Sequence, residues 1–264
     1  NPDEMNNRDP ASVASKLLAA PYAEQLRVEL GTATDPARVL TVAGQALEAF
    51  LTTQAMAPFS SKFDDFVRGR AKLSTLELLG MQLFKSPSKG GCAACHRFNE
   101  TATDPAMSMF TDYGYDGIAV PRNPALPRSR KPDLGLCERR DKQIPSNDAV
   151  NCAHFRTPSL RNVARRGSYM HNGSFTSLRD VVAFYATRAT EPLRWYKSGT
   201  RFEDVPAQYR PYVNAASIPY NRREGDVPAL DDGEVDAIVA FLRTLSDADS
   251  PGVAQPQPTS QKLP

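Results

Sequence analysis

The stretch Gly90-Gly91-Cys92-Ala93-Ala94-Cys95-His96 decides how this chain is read. Two thiols separated by two residues and followed at once by an imidazole form the attachment sequence of haem c. Each thiol adds across a porphyrin vinyl group, and the adjacent histidine is thereby placed to ligate the iron. With four cysteines and three histidines among 264 residues, a chance match is expected on the order of once in a thousand such chains. A C-x-x-C pair also marks thioredoxin-like redox sites and half of many zinc sites. The first wants a neighbouring βαβ pattern and the second another Cys/His pair at short spacing, and the sequence supplies neither context.

The remaining composition bounds the answer loosely. A hydrophobic fraction of 41% suffices for a packed core in one large or two small domains. Basic and acidic residues nearly balance at a net charge of +2, so nothing suggests a nucleic-acid surface, and no apolar run approaches the length of a membrane span. Covalent haem attachment belongs to the oxidising, exported side of a bacterial membrane. A chain that starts at Asn1 with no initiator Met and no signal peptide is therefore expected to be processed or truncated and to reside in the periplasm. With Cys92 and Cys95 claimed by haem, Cys137 and Cys152 fit a disulfide tying down a long loop, the alternative being two separate buried thiols.

Helix signals dominate. Asp9-Pro10 reads as a cap followed by a first-turn proline, opening a helix through Ala20, and Asp35-Pro36 repeats the device before Val39, Leu40, Ala43, Leu47 and Phe50. Ser74-x-x-Glu77 is a capping box ahead of Leu76, Leu79, Leu83 and Phe84, and Gly90-Gly91 then releases the chain into the haem motif. From Arg97 to Phe155 periodicity fades among prolines and glycines, which predicts a long functional loop. Ser177-x-x-Asp180 caps a helix with Leu178, Val181, Val182 and Tyr185 on one face. Asp231-x-x-Glu234 caps another with Val235, Ile238, Val239 and Leu242. Residues 246–264 turn to Pro, Gln, Ser and Gly and read as a disordered tail. The expectation is a mainly α fold. A helical segment over 1–73 leads to a cytochrome c-like haem domain with long irregular loops over 74–245.

The chemistry of such a centre depends on the ligand opposite His96. Met107 and Met109 follow His96 so soon that the chain would have to double back over the haem edge. Met170 and His171 lie beside the turn Asn172-Gly173, and Tyr185 sits on an apolar helix face that can pack against a porphyrin. Among the arginines, Arg156 and Arg161 are candidates to pair with the haem propionates, against solvation as surface residues. Trp195, the only tryptophan, is either a packing residue or a relay for an electron hole. His154 has no evident second ligand, and His171 reads as orienting its turn.

Several of these stretches resemble the bacterial di-haem cytochrome c peroxidase and MauG family. They are Phe155-Arg156-Thr157-Pro158-Ser159-Leu160-Arg161-Asn162-Val163, Tyr169-Met170-His171-Asn172-Gly173-Ser174, Phe110-Thr111-Asp112-Tyr113-Gly114-Tyr115-Asp116, Val120-Pro121-Arg122-Asn123, Pro132-Asp133-Leu134-Gly135-Leu136-Cys137 and Asp236-Ala237-Ile238-Val239-Ala240-Phe241-Leu242. Peroxidases of this family take a methionine from the helix after the H-x-G turn as the second ligand of the electron-transfer haem, and MauG-like members place a tyrosine there. The resemblance thus implies His96/Tyr185 ligation, with Met170 as the alternative. An anionic phenolate favours oxidised iron where a thioether favours reduced iron. The resemblance also implies a calcium ion held partly by backbone carbonyls that correspond to Arg166 and Ser168.

The family carries two C-x-x-C-H motifs and this sequence has one. What matches is the second haem domain with the helical segment before it. A first haem domain, carrying a second haem where hydrogen peroxide reacts, is expected on the missing part of the protein or on a separate chain. The resemblance implies an oxidoreductase that uses peroxide to oxidise a redox partner or substrate protein. The rival reading is a mono-haem electron-transfer cytochrome without peroxide chemistry.

Overall fold

A computed structural model describes residues 7–32, 35–127, 129, 131–138 and 148–248. The chain divides into two compact units, Asn1–Phe59 and Ser60–Pro264. Mainly helical structure, with a single two-stranded ladder among the described residues, agrees with the expected fold class.

The first unit holds α1 (Pro10–Leu18), α2 (Ala23–Leu30) and α3 (Pro36–Leu51). Asp9 accepts a hydrogen bond from the Ser12 amide and Asp35 one from the Arg38 amide. Each satisfies an amide that the first helical turn leaves unpaired, and proline follows at a position that needs no donor. Its core is small, comprising Ala14, Leu30, Val39 and Val42. The apolar face expected on α3 is only half used, because Leu47 and Phe50 remain 62% and 51% exposed.

The second unit opens with α4 (Lys62–Val67), which the helix signals had not separated from the first segment. Phe63 and Asp64 are fully buried in the second unit, so the observed division falls before Ser60 and residues 60–73 pack with the haem-motif unit. Next come α5 (Thr75–Lys85), α6 (Leu178–Thr187), α7 (Pro192–Trp195) and α8 (Asp232–Arg243). Reciprocal capping boxes close α5 at Ser74/Glu77 and α8 at Asp231/Glu234, as their spacing predicted.

Helix α8 packs on both α5 and α6. At the α5–α8 crossing a β-carbon on Gly80 would stand 1.9 Å from the Ala237 carbonyl oxygen, so the two backbones touch where only glycine fits. Below the crossing, Phe63, Phe84, Phe98, Phe110 and Phe241 pack largely edge to face, with Phe98 and Phe110 stacked at 4.8 Å. Among its described residues the long loop is mostly irregular, as expected. Strand β1 (Tyr115–Asp116) pairs antiparallel with β2 (Phe155–Arg156), bringing together segments about forty residues apart in sequence. The sulfurs of Cys137 and Cys152 stand at bonding distance with Cα atoms 4.8 Å apart.

Most of the expected tail, residues 249–264, lies outside the described residues. Its first members do not behave as a tail. Asp247 accepts hydrogen bonds from the Ser60 amide and the Asn162 side chain, both at 2.8 Å, which pins the chain beyond α8 to the start of the unit.

Candidate functional site

Helix α5 ends at Lys85, and the chain turns back so that the Gly90 amide donates to the Leu83 carbonyl at 3.2 Å. Gly91 adopts φ +63, a conformation that favours glycine, and starts a 3-10 turn over Cys92–Ala94. The His96 amide donates to the Cys92 carbonyl at 2.8 Å, so the two thiols and the imidazole share one compact turn. Both thiols are free.

Three features show that these residues fit a covalently held haem. Burial pushes the Cys92 thiol up to about 12, which disfavours a free thiolate at this position. Burial likewise lowers the His96 pKa, against the opposing pull of the Phe110 and Pro158 carbonyls, which keeps the imidazole in its neutral, ligating form. The His96 Nδ1 lies 3.0 Å from the Phe110 carbonyl oxygen. With Nδ1–H donating there, the Nε2 lone pair is left for a metal and the ring plane is fixed. Phe110 is itself fully buried at φ +53, a strained backbone conformation that the surrounding phenyl cluster maintains.

Tyr185 lies on α6 in the same environment. Burial raises its phenol pKa, with further upward pressure from Cys92, Asp116 and Cys95, while Arg188 pulls it down. These mutual influences place Tyr185, both thiols and Asp116 around one region. The Tyr185 ring stacks on Tyr220 at 5.9 Å and meets Phe184 edge-on at 6.0 Å. Met170 is half-buried at φ +68 beside the Tyr169–Phe175 bridge, and Met107 is 61% exposed.

The two arginines expected at the propionates part company. Arg156 is exposed, with its guanidinium 5.1 Å from the centre of the Tyr113 ring. Arg161 is committed elsewhere: it grips buried Asp64 through Nη1 and Nη2 at 3.1 and 3.0 Å and donates to the Ser108 and Pro105 carbonyls. Its role is to fasten the loop that precedes Phe110 to α4, because a carboxylate buried at 0% exposure requires a cation beside it.

Arg166 and Ser168 lie exposed on the loop before Tyr169, and among the described residues no cluster of three or more acidic, His or Cys side chains adds to their carbonyls. His171 stacks on Phe155 at 3.6 Å, and His154 Nδ1 is 3.2 Å from the Cys152 carbonyl. The Trp195 indole donates to Thr187 Oγ1 at 2.9 Å and packs edge-on against Phe184. Two further residues stand near the site: Asp116 on β1, whose only sequence signal is its place at the end of the family-like stretch from Phe110, and Arg188, just beyond the end of α6, which no motif marks. The one available hint was the spacing of Arg188 from Tyr185, which places both on neighbouring turns of one helix.

No protein-family model matches the chain. It is 33% identical over 258 residues to the methylamine utilization protein MauG of Paracoccus denitrificans, covering 94% of this chain and 62% of that one. Among solved structures it superposes on the diheme peroxidase BthA of Burkholderia thailandensis with a TM-score of 0.83 and 48% identity, over 94% of this chain and 61% of that chain. The chain belongs to the di-haem cytochrome c peroxidase and MauG family. A further relative is the cytochrome-c peroxidase IdrP1 of Denitromonas iodatirespirans, 31% identical over 55% of this chain and 41% of that protein. The chain therefore spans less than two thirds of the length of the family members it matches.

Proposed function

We propose that this chain is the haem-bearing electron-transfer part of a peroxide-using di-haem oxidoreductase, with one haem c attached through Cys92 and Cys95. The observation that carries the reading is the turn itself: two free thiols and an imidazole whose Nδ1 is already engaged by Phe110. When bound, the haem supplies an iron that exchanges single electrons at a potential set by its axial ligands.

The chain's own residues do the rest. His96 would hold the iron: burial keeps its imidazole neutral, and the Nδ1 bond to the Phe110 carbonyl fixes the ring and leaves Nε2 for the metal. Tyr185 is the proposed opposite ligand in preference to Met170, because its phenol already shares the surroundings of the two thiols. Burial keeps the proton on the Tyr185 phenol, and a metal cation held beside it would favour its loss. The phenyl cluster around Phe98 and Phe110 excludes water from the His96 side.

In this reading hydrogen peroxide reacts at a second haem in a preceding domain, and the oxidising equivalents reach a redox partner or substrate protein through the haem held here. The protein acts in the bacterial periplasm. Among the described residues no helix is long and apolar enough to cross a membrane. Arg166 and Ser168 carbonyls contribute to a calcium site completed by the preceding domain. The single C-x-x-C-H motif favours a second reading, a mono-haem electron carrier.

Haem-loaded wild type and Tyr185→Phe, compared by absorption and electron spin resonance, test the ligand assignment. Tyr185 ligation predicts loss of the phenolate signature in the variant, whereas identical spectra rule it out. Native mass with a haem count on the protein as its host makes it separates the two readings: a second haem outside this chain supports the peroxidase, and a particle whose single haem is the one on this chain supports the carrier.

A further inference from the structure

Arg188 is a large, charged side chain with no exposed surface, at 0%. It follows Tyr185 by three positions at the C-terminal end of α6. Its Nη1 donates to the Ile118 carbonyl at 2.6 Å and its Nη2 to the Asn214 carbonyl, while Nε has no partner. Among the described residues no carboxylate forms an ion pair with it. Asp116, the acidic group that bears on it, is turned instead to Asn214 Nδ2 and the Gly117 amide, each at 2.8 Å.

A second cation makes the arrangement more costly. The guanidinium carbons of Arg188 and Arg201 stand 5.5 and 4.7 Å from the centre of the Phe202 ring, and the two charges repel. The Arg201 Nε is also buried without a partner. A desolvated cation without an anion is among the most unfavourable arrangements a protein interior can hold. The face of Tyr220, 3.8 Å from the Arg188 guanidinium carbon, offsets part of that cost and leaves the unpaired N–H unanswered.

What the site lacks is an anion, and a haem brings two carboxylates. Arg188 adjoins the proposed haem surroundings through Tyr220, whose ring stacks on Tyr185, and through Asp116, which bears on Cys95 and Tyr185. We infer that Arg188, assisted by Arg201, anchors a haem propionate in this chain. Each Nη–carbonyl bond consumes one hydrogen, so Nε–H and an Nη–H remain for the two-pronged contact that a guanidinium makes with a carboxylate. The role expected of Arg161 thereby falls to Arg188. This inference rests on the haem reading above.

The test uses the haem-loaded full chain as wild type, Arg188→Gln and Arg188→Lys. The resonance Raman propionate bending mode and the midpoint potential at neutral pH are measured beside the melting curve. Arg188→Gln is expected to shift the propionate mode. It also lowers the ratio of reduced to oxidised iron at fixed potential by about tenfold, as removal of one desolvated positive charge favours the ferric state. Arg188→Lys restores the ratio but not the mode, since an ammonium keeps the charge and loses the fork. A role confined to bonding the Ile118 and Asn214 carbonyls would move the melting curve alone, and that result overturns the inference. So does a shift confined to tyrosinate bands, which would assign the cation to Tyr185. If Arg188→Gln does not fold, Arg201→Gln reports the same two quantities, with a smaller shift in the same direction expected and no shift counting against the proposal. A wild type without covalent haem defeats the haem reading itself; a haem-loaded wild type with an unmoved variant defeats only the assignment of Arg188.

Discussion

The His96 and Tyr185 surroundings are built from different materials. Around His96 stand phenyl rings and backbone carbonyls, with Arg161 and Asp64 as a closed ion pair that fastens the loop into Phe110. Around Tyr185 stand the Tyr220 phenol, the carboxylate of Asp116 and, beyond Tyr220, the guanidiniums of Arg188 and Arg201, which form no ion pair among the described residues. The first arrangement satisfies itself and holds a ligand in place. The second carries uncompensated polarity, which a fold retains where a bound group completes it.

The comparison breaks first at the attachment turn. Replacing both thiols, Cys92→Ala with Cys95→Ala, is expected to abolish covalent haem altogether, read as the loss of haem from denatured protein on a gel. Survival of the covalent bond would remove the basis of both sides.

Next in size is the closed ion pair. Arg161→Met strands the Asp64 carboxylate and is expected to cost about 3–5 kcal/mol in denaturant unfolding, because one partner of a buried pair is left uncompensated. The joint variant Arg161→Met with Asp64→Leu should recover much of that loss. A single variant within about 0.5 kcal/mol of wild type would mean the pair is not the strut proposed.

Gly80→Ala probes the helix crossing that supports the attachment turn. Its methyl group collides with the Ala237 carbonyl, and a loss of about 3 kcal/mol is expected, measured by thermal unfolding. Asp231→Ala removes the cap of α8, the helix on which both α5 and α6 rest, and should cost about 1 kcal/mol with haem spectra unchanged. A spectral change there would show that the stability of α8 and the geometry of the site are not separable.

The parts of this structure legible in the sequence are those whose physics is local. A capping box spans four residues, so Ser74/Glu77 and Asp231/Glu234 announce their helices. The C-x-x-C-H turn carries its chemistry in five positions. Cys137 and Cys152 were pairable because only two thiols remained. Contacts that join distant segments left no such trace. Arg161 meets Asp64 across 97 positions, and Asp116 reaches Asn214 across 98, so neither periodicity nor spacing distinguishes Arg161 from an ordinary exposed arginine. Arg188 escaped for the same reason: its burial depends on Ile118, Asn214 and Tyr220, none of them neighbours in sequence. The division before Ser60 was likewise hidden, because the short helix α4 is defined by where Phe63 packs rather than by a long apolar period.

The central claim is that this chain holds one haem c through Cys92, Cys95 and His96. Intact mass of the denatured chain, taken with a haem count on the same preparation, tests it most directly. The account predicts a mass equal to the chain plus one haem and one haem per chain. A bare-chain mass, or haem that leaves on denaturation, would contradict it.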